Sequence, residues 1–342
     1  MTTHATDPSY AQLPIIDLSA ADRGPEERAR FHARLHSAAH DVGFFQLTGH
    51  GVTRAETDAL TSAMRAFFAL PEADRLALDN VNSPHFRGYT RTGDERTGGA
   101  RDWRDQLDIG AERPARAPGP GEAPYWWLQG PNQWPAALPE LRTAALAWVE
   151  KLSAVAQRLL RELLTAIGAP AGFYDPVFGA HAHPHLKLVR YPGSAGDGTA
   201  QGVGAHKDYG FLTLLLQDTV GGLQVQRADG RFHEVPPLDG AFVVNLGELL
   251  EVATNGYLVA TNHRVVSPPA ATERFSVPFF YNPALDAKIA PLPFPHAEKA
   301  RGISTDPSNP LFAEYGYNEL KGKLRAHPLV AERHHADLLT PA

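Results

Sequence analysis

From residue 186 onward the chain breaks into short β-prone runs, 186–191, 211–217, 223–226, 232–234, 241–246, 263–265 and 274–281, separated by turns rich in Gly, Pro, Asn and Asp. Short strands at such spacing form a sandwich or a barrel. Just upstream, residues 138–168 read as one long helix. Ala, Leu, Glu and Arg favour it. Leu141, Ala145, Trp148, Leu152, Val155, Leu159, Leu163 and Ile167 recur every three or four residues as a single apolar stripe. Gly168 is a favoured C-terminal cap and Pro170 blocks continuation. A helix with one apolar stripe must pack along a sheet or another helix. The fold class expected is therefore mainly β with a helical brace, an α+β arrangement.

The N-terminal part alternates. Residues 13–18 and 44–47 are short strands, and 25–41 and 55–69 are amphipathic helices with Phe31 and Leu35, then Leu60, Met64, Phe67 and Phe68, on their apolar faces. A further strand is expected within 101–109, and a covering helix over 311–327. Residues 1–12 read as a loosely attached leader. Residues 114–135 are rich in Pro, Gly and Ala but also hold Tyr125, Trp126 and Trp127. Such a stretch is a long loop, and long loops in compact proteins are usually functional or disordered. Arg87, Tyr89 and Trp126 are candidates for a substrate rim, weighed against simple packing of the loop.

Composition removes several function classes. The 342 residues contain no cysteine, which excludes disulfides, thiolate catalysis, Fe–S clusters and Cys-type zinc sites. A net charge of −6 offers no basic surface for nucleic acid. No apolar run reaches the length of a membrane span, and the first residues lack the pattern of a signal peptide. A cytoplasmic enzyme acting on a small molecule is expected. Oligomeric state is left open.

The chemistry concentrates in Ala205-His206-Lys207-Asp208-Tyr209-Gly210, ahead of an apolar β-prone run. In a strand, residues i and i+2 share a face, so His206 and Asp208 are expected to project together from one strand end, with Lys207 on the other side. His263 offers a third ligand. Two imidazoles and one carboxylate with open positions suit non-haem Fe(II), and the same set can hold zinc. Downstream, Arg274 and Ser276 share a face at the head of an apolar strand. A guanidinium there offers a rigid two-pronged fork to a carboxylate. A buried arginine also needs an anionic partner, which the neighbouring sequence does not supply.

The order H-x-D, distal His, R-x-S resembles that of the isopenicillin N synthase-like branch of the Fe(II)/2-oxoglutarate-dependent dioxygenases. The resemblance extends over nearly the whole chain. It includes residues 13–18 and 43–52, Leu188-Val189-Arg190-Tyr191-Pro192, Gly221-Gly222-Leu223-Gln224-Val225, Val244-Asn245-Leu246-Gly247-Glu248 and Thr254-Asn255-Gly256. It implies a double-stranded β-helix, or jelly roll. It also implies a division into an N-terminal α/β region (1–135), a bracing helix (136–170), a catalytic core (171–300) and a C-terminal helical tail (301–342). His206, Asp208 and His263 would hold Fe(II). Arg274, Ser276 and Tyr191 would bind 2-oxoglutarate. With O2, the reaction implied couples decarboxylation of 2-oxoglutarate to succinate and CO2 with hydroxylation, desaturation or cyclisation of a small organic substrate. Region 85–135 and Phe280 would line an aperture with aromatic or apolar character.

Other readings stand beside this one. A 2-oxoglutarate-independent oxidase or an ethylene-forming enzyme of the same fold would carry the same R-x-S pair. A zinc hydrolase and a non-catalytic jelly-roll binder lie further off. His181, His183 and His185 could present three imidazoles from one strand face, but they lack a carboxylate, include a proline and match no ligand of the family, so a strand-entry cluster is expected. His50, between two glycines, reads as a turn residue.

Overall fold

The computed structural model describes residues 12–193, 201–303 and 309–339; most of the expected leader lies outside them. Two sheets face each other. The larger runs in the order Ile15–Asp17, Phe44–Thr48, Phe242–Leu246, Leu212–Gln217, Arg274–Tyr281, His185–Tyr191, Asp105–Gly110, Gly88–Thr90. The smaller runs Phe232–Glu234, Leu223–Gln226, His263–Val266, Gln201–His206. Apart from the parallel pair Ile15–Asp17 and Phe44–Thr48, neighbouring strands are antiparallel. The core is a double-stranded β-helix.

Two apolar layers hold it together. Between the sheets lies a small core rich in valine, including Val189, Val203, Val225, Val243 and Val265. β-branched side chains suit this layer because they stand stiffly on a pleated surface. On the outer face of the large sheet, the helices form a much larger core. The helix Pro139–Ala166 buries Leu141, Ala145, Trp148, Leu152, Leu159 and Leu163 along one stripe. It packs on the Leu212–Gln217 and Arg274–Tyr281 strands, with helices Pro25–Ser37 and Arg54–Ala69 alongside. Covered on both faces, His185–Tyr191 is almost entirely buried.

The strands at 223–226, 232–234 and 274–281 have the expected limits. The strand Gln201–His206 was not expected, because Gly202 and Gly204 interrupt any alternation of apolar side chains. Its partner specifies it. A Cβ on Gly202 would lie 2.9 Å from the Val265 carbonyl oxygen, so only glycine allows this approach. The helix starting at Pro25 is regular to Ser37 and then widens into a π-turn over Ala38–Val42. The covering helix runs over Tyr315–Ala326 and is followed by a second, Pro328–His334. Among the described residues, no helix is long and apolar enough to cross a membrane.

Candidate active site

His206 ends one strand of the small sheet and His263 begins the next, and the two are direct cross-strand partners. Their ring centroids lie 4.3 Å apart. The Nδ1–H of His206 donates to the Gly204 carbonyl at 2.8 Å, and that of His263 to the Thr261 carbonyl at 3.2 Å. A carbonyl can only accept, so each Nδ1 carries the proton and each Nε2 presents its lone pair.

Asp208 is not on the strand with His206. The strand stops at His206, and Asp208 sits in the turn that leads to the large sheet. Its convergence with His206 therefore comes from the turn and not from strand alternation. The helix Glu248–Ala253 fixes that turn: the N–H of Glu248 donates to Asp208 O at 2.7 Å, and those of Gly247 and Leu249 to Phe211 O and Gly210 O at 2.9 and 3.2 Å. Asp208 Oδ2 accepts from Thr213 Oγ1 at 2.5 Å and Asn245 Nδ2 at 2.8 Å, both on the large sheet. Oδ1 is left facing the imidazoles, 3.5 Å from His206 Nε2 and 3.8 Å from His263 Nε2.

The three ligand atoms lie within 4.8 Å of one another, a grouping found at no other place among the described residues. Asp208 and His263 are buried, while the His206 side chain is 32% exposed, so the cluster opens to one side. Burial alone would raise the Asp208 pKa, but His263 and His206 hold it well below the ordinary carboxylate range. Burial, reinforced by His206, takes His263 down to about 4. Burial also opposes charge on His206, and the Asp208 carboxylate more than reverses that. Two imidazole nitrogens and a carboxylate oxygen thus converge on a point that demands positive charge, and this donor set fits a divalent metal.

Arg274 is fully buried at the start of its strand. Its guanidinium lies 4.7 Å over the ring of Tyr191, its cross-strand partner. Nη2 donates to Gln217 Oε1 at 3.4 Å, while Nε and Nη1 have no hydrogen-bond partner. No carboxylate among the described residues lies within ion-pair distance of it. Ser276 is buried two residues along the same strand, and so on the same face. A buried cation with unspent donors fits a carboxylate-bearing co-substrate.

A cavity of about 260 Å³ opens beside the cluster, lined by His206, Asp208 and Phe280 among others. Its remaining wall mixes apolar groups, Val203 and Tyr209 among them, with charged ones. Glu95, Arg104, His185, Lys187, Lys323 and His327 add charged and polar groups to it, so the aperture expected to be aromatic or apolar is mixed in character. Arg104 and Lys187 donate to Glu95 at 2.8 and 2.7 Å, and Lys323 to Asp108 at 3.2 Å.

Arg87, Tyr89 and Trp126 do not line the cavity. Arg87 is fully buried; its Nη2 meets the Leu128 carbonyl and His183 Nε2, at 3.2 and 3.3 Å, and its Nε and Nη1 have no hydrogen-bond partner. The Tyr89 hydroxyl donates to Asp105 at 2.8 Å, and Trp126 stacks under Arg116 at 3.6 Å. The 181–185 histidines disperse: His181 is exposed, His183 meets Arg87, and His185 bonds Asp108 at 2.8 Å. His50 bonds the Gly240 carbonyl at 2.9 Å in its turn.

Sequence reasoning missed Thr213 and Asn245, and the charged wall. A signal existed for each. Thr213 and Asn245 are polar residues inside apolar runs, and such residues need buried partners. His185 and Lys187 alternate with Leu186 and Leu188, which puts two polar groups on one face of a buried strand.

Residues 13–137 match the model of the non-haem dioxygenase N-terminal region named for morphine synthesis, and residues 182–283 that of the 2OG-Fe(II) oxygenase superfamily. A 2-oxoglutarate-dependent dioxygenase, frbJ, of a Dothideomycetidae species is 34% identical, over 95% of this chain and 92% of that protein. The chain belongs to the 2OG-Fe(II) oxygenase superfamily. It is an oxidoreductase that uses Fe(II), 2-oxoglutarate and O2. A homoarginine-6-hydroxylase of Glycine max is 31% identical over 87% of this chain and 92% of that one. The structure of JOX2 with 2OG, Fe and JA superposes with a TM-score of 0.69 at 27% identity, covering 94% of this chain and 89% of the other. These relatives favour a 2-oxoglutarate-dependent oxygenase over the oxidase, ethylene-forming and hydrolase alternatives.

Proposed function

We propose that His206, Asp208 and His263 hold Fe(II), that Arg274 binds the distal carboxylate of 2-oxoglutarate with Ser276 and Tyr191 beside it, and that the enzyme hydroxylates a small polar molecule in the adjoining cavity. The observation that carries this reading is the convergence of two Nε2 atoms on Asp208 Oδ1, with each Nδ1 at hydrogen-bond distance from a carbonyl. When bound, Fe(II) with 2-oxoglutarate and O2 supplies the oxidant for C–H hydroxylation, and 2-oxoglutarate leaves as succinate and CO2.

The chain's own residues set the geometry. Thr213 and Asn245 hold Asp208 so that only Oδ1 is presented. Arg274 uses its free Nε and Nη1 as the two prongs of a carboxylate clamp, and the Tyr191 ring keeps the guanidinium flat against the sheet. Burial of Arg274 excludes water from that clamp, which strengthens each hydrogen bond in it. A cytoplasmic location, where iron is kept ferrous, belongs to the same proposal.

Anaerobic titration of the apo-protein with Fe(II) and 2-oxoglutarate tests it through the visible charge-transfer band of the chelate. The band is expected in the wild type, absent in His206→Ala and shifted to higher 2-oxoglutarate concentration in Arg274→Ala by about 10- to 100-fold. Tight Fe(II) binding without a band would instead indicate that 2-oxoglutarate does not bind the metal.

A further inference from the structure

The helix Tyr315–Ala326 turns a stripe of functional groups toward the cavity. Glu319, Lys323 and His327 recur every fourth residue, so they stand one above another on one face, and all three line the cavity wall. All three are buried, at 1%, 3% and 1% exposure of residue or side chain. Two of them keep polar atoms without a partner.

Glu319 Oε2 accepts the hydroxyl hydrogen of Tyr315, while Oε1 accepts nothing. Asn80 Nδ2 donates to His327 Nδ1 at 3.1 Å, so the proton of that ring sits on Nε2. The Nε2–H is buried and has no acceptor; the Glu95 carboxylate is 3.6 Å away. Glu95 is itself neutralised by Arg104 and Lys187, at 2.8 and 2.7 Å. Lys323 Nζ, between them, donates to Asp108 at 3.2 Å, beside His185, whose Nε2–H is given to the same carboxylate. Facing the same space, Arg104 Nε is another buried donor without a partner.

Unmet buried polar atoms are costly. An unmet acceptor one turn from a cation and two turns from an unmet donor describes a complement: a molecule with N–H groups at one point and a carboxylate at another. The rim supports the anionic half. Arg96, Lys321 and Arg325 also line the cavity, with Glu248 the carboxylate near Lys321, and the excess of positive charge draws anions inward.

We propose that the substrate is a free amino acid or a similarly small zwitterion, its nitrogen donating to Glu319 Oε1 and its carboxylate held by Lys323 and the His327 Nε2–H. Glu319 and His327 are then the residues that select it. This rests on the oxygenase reading above, and concerns which molecule that site accepts. Tyr209, which follows the ligand Asp208, lies against Gly322 on the same helix face, so a molecule held on the stripe lies beside the metal cluster.

The test uses the full chain with Fe(II), 2-oxoglutarate and O2. Succinate release is measured alone, with each protein amino acid, and with the decarboxylated amine and the deaminated acid of every amino acid that stimulates. At least one amino acid is expected to accelerate release and to gain an oxygen atom by mass spectrometry, with its amine and its acid both about tenfold or more weaker. Glu319→Gln, which keeps the shape and the Tyr315 contact, is expected to raise the amino acid KM by about 10- to 100-fold with a smaller change in kcat. The chelate band, read in the same sample, reports that fold and metal site stand. The proposal is overturned if amines or deaminated acids serve as well, if no amino acid accelerates a wild-type enzyme that releases succinate alone, or if Glu319→Gln leaves KM unchanged. A wild-type protein with neither chelate band nor succinate release defeats the oxygenase reading instead, and this proposal with it.

Discussion

At the scale of single residues, the site depends on which atoms are already occupied. His206 and His263 are useful to a metal because a carbonyl holds each Nδ1–H, and Asp208 because Thr213 and Asn245 occupy one of its oxygens. Groups that orient a ligand in this way typically contribute 10- to 100-fold in metal affinity. Asn245→Ala is therefore expected to weaken Fe(II) binding by about that factor while leaving the ligand set intact. Competition against a chromogenic chelator measures it, and an unchanged affinity would mean that Thr213 alone positions the carboxylate. The grouping of His206, Asp208 and His263 and the burial of Arg274 were legible in the sequence because their residue types and order resemble those of the family. Arg87, Tyr89 and Trp126 were misplaced for the opposite reason: an arginine or an aromatic ring serves packing equally well, and only its neighbours decide.

At the scale of elements, the turn after His206 matters more than the strand before it. Three N–H groups at the start of Glu248–Ala253 pin residues 208–211. Contact is so close that a Cβ on Gly247 would lie 2.2 Å from the Gly210 carbonyl oxygen. Its φ of −95° suits any residue, so the constraint is steric. Gly247→Ala must push the turn away from the helix and carry Asp208 with it. Weaker Fe(II) binding is expected, with thermal stability lowered by about 1–3 kcal/mol, the usual cost of overpacking. Calorimetry of metal binding and unfolding checks both. The H-x-D spacing had suggested two ligands on one strand face; in the molecule the strand supplies one and a braced turn the other.

For the molecule as a whole, the C-terminal helix is joined to the sheet through buried charge. Asp102 and Glu95 meet Arg104, Glu95 and Asp108 meet Lys187, and Asp108 meets Lys323. Burial would raise the carboxyl pKa values, but Arg104 and Lys187 beside Glu95, and Lys187 and Lys323 beside Asp108, hold both well below the ordinary range. Burial keeps His183, His185 and His327 neutral, the last with a pKa of about 4. For all five groups the unfolded chain binds more protons as acidity increases. Their contribution is complete above the ordinary histidine value of 6.5, falls as the histidines of the unfolded chain protonate, and falls further below the ordinary carboxylate values of 4.5 and 3.8. His206 and Glu248, with raised pKa values, act in the opposite sense, but His36, His50, His85, His263 and His335, which burial holds low, act with the five. Urea unfolding of the metal-free protein from pH 8 to pH 4 is expected to show a midpoint that declines steadily; a flat profile would contradict the sign. Glu95→Gln leaves Arg104 and Lys187 without their shared carboxylate and is expected to cost about 3–5 kcal/mol at neutral pH.

What residue order alone decided is whatever depends on periodicity and residue type. An unbroken apolar stripe makes 139–166 a helix wherever it packs, and β-prone runs between turns give strands whose limits at 223–226 and 274–281 needed no partner to define them. The grouping of His206, Asp208 and His263 belongs here too, because its order with a downstream arginine resembles that of the family. Tertiary structure decided whatever depends on pairing. Gln201–His206 is a strand only because His263–Val266 lies beside it, and Asp208 faces the imidazoles only because a distant helix holds its turn. The wall of the cavity carries buried charge because residues near 95, 108 and 187 meet a helix more than a hundred residues downstream. Charge pairing between segments far apart in the chain leaves no local periodic signal, so the character of the cavity emerges only when the chain is folded.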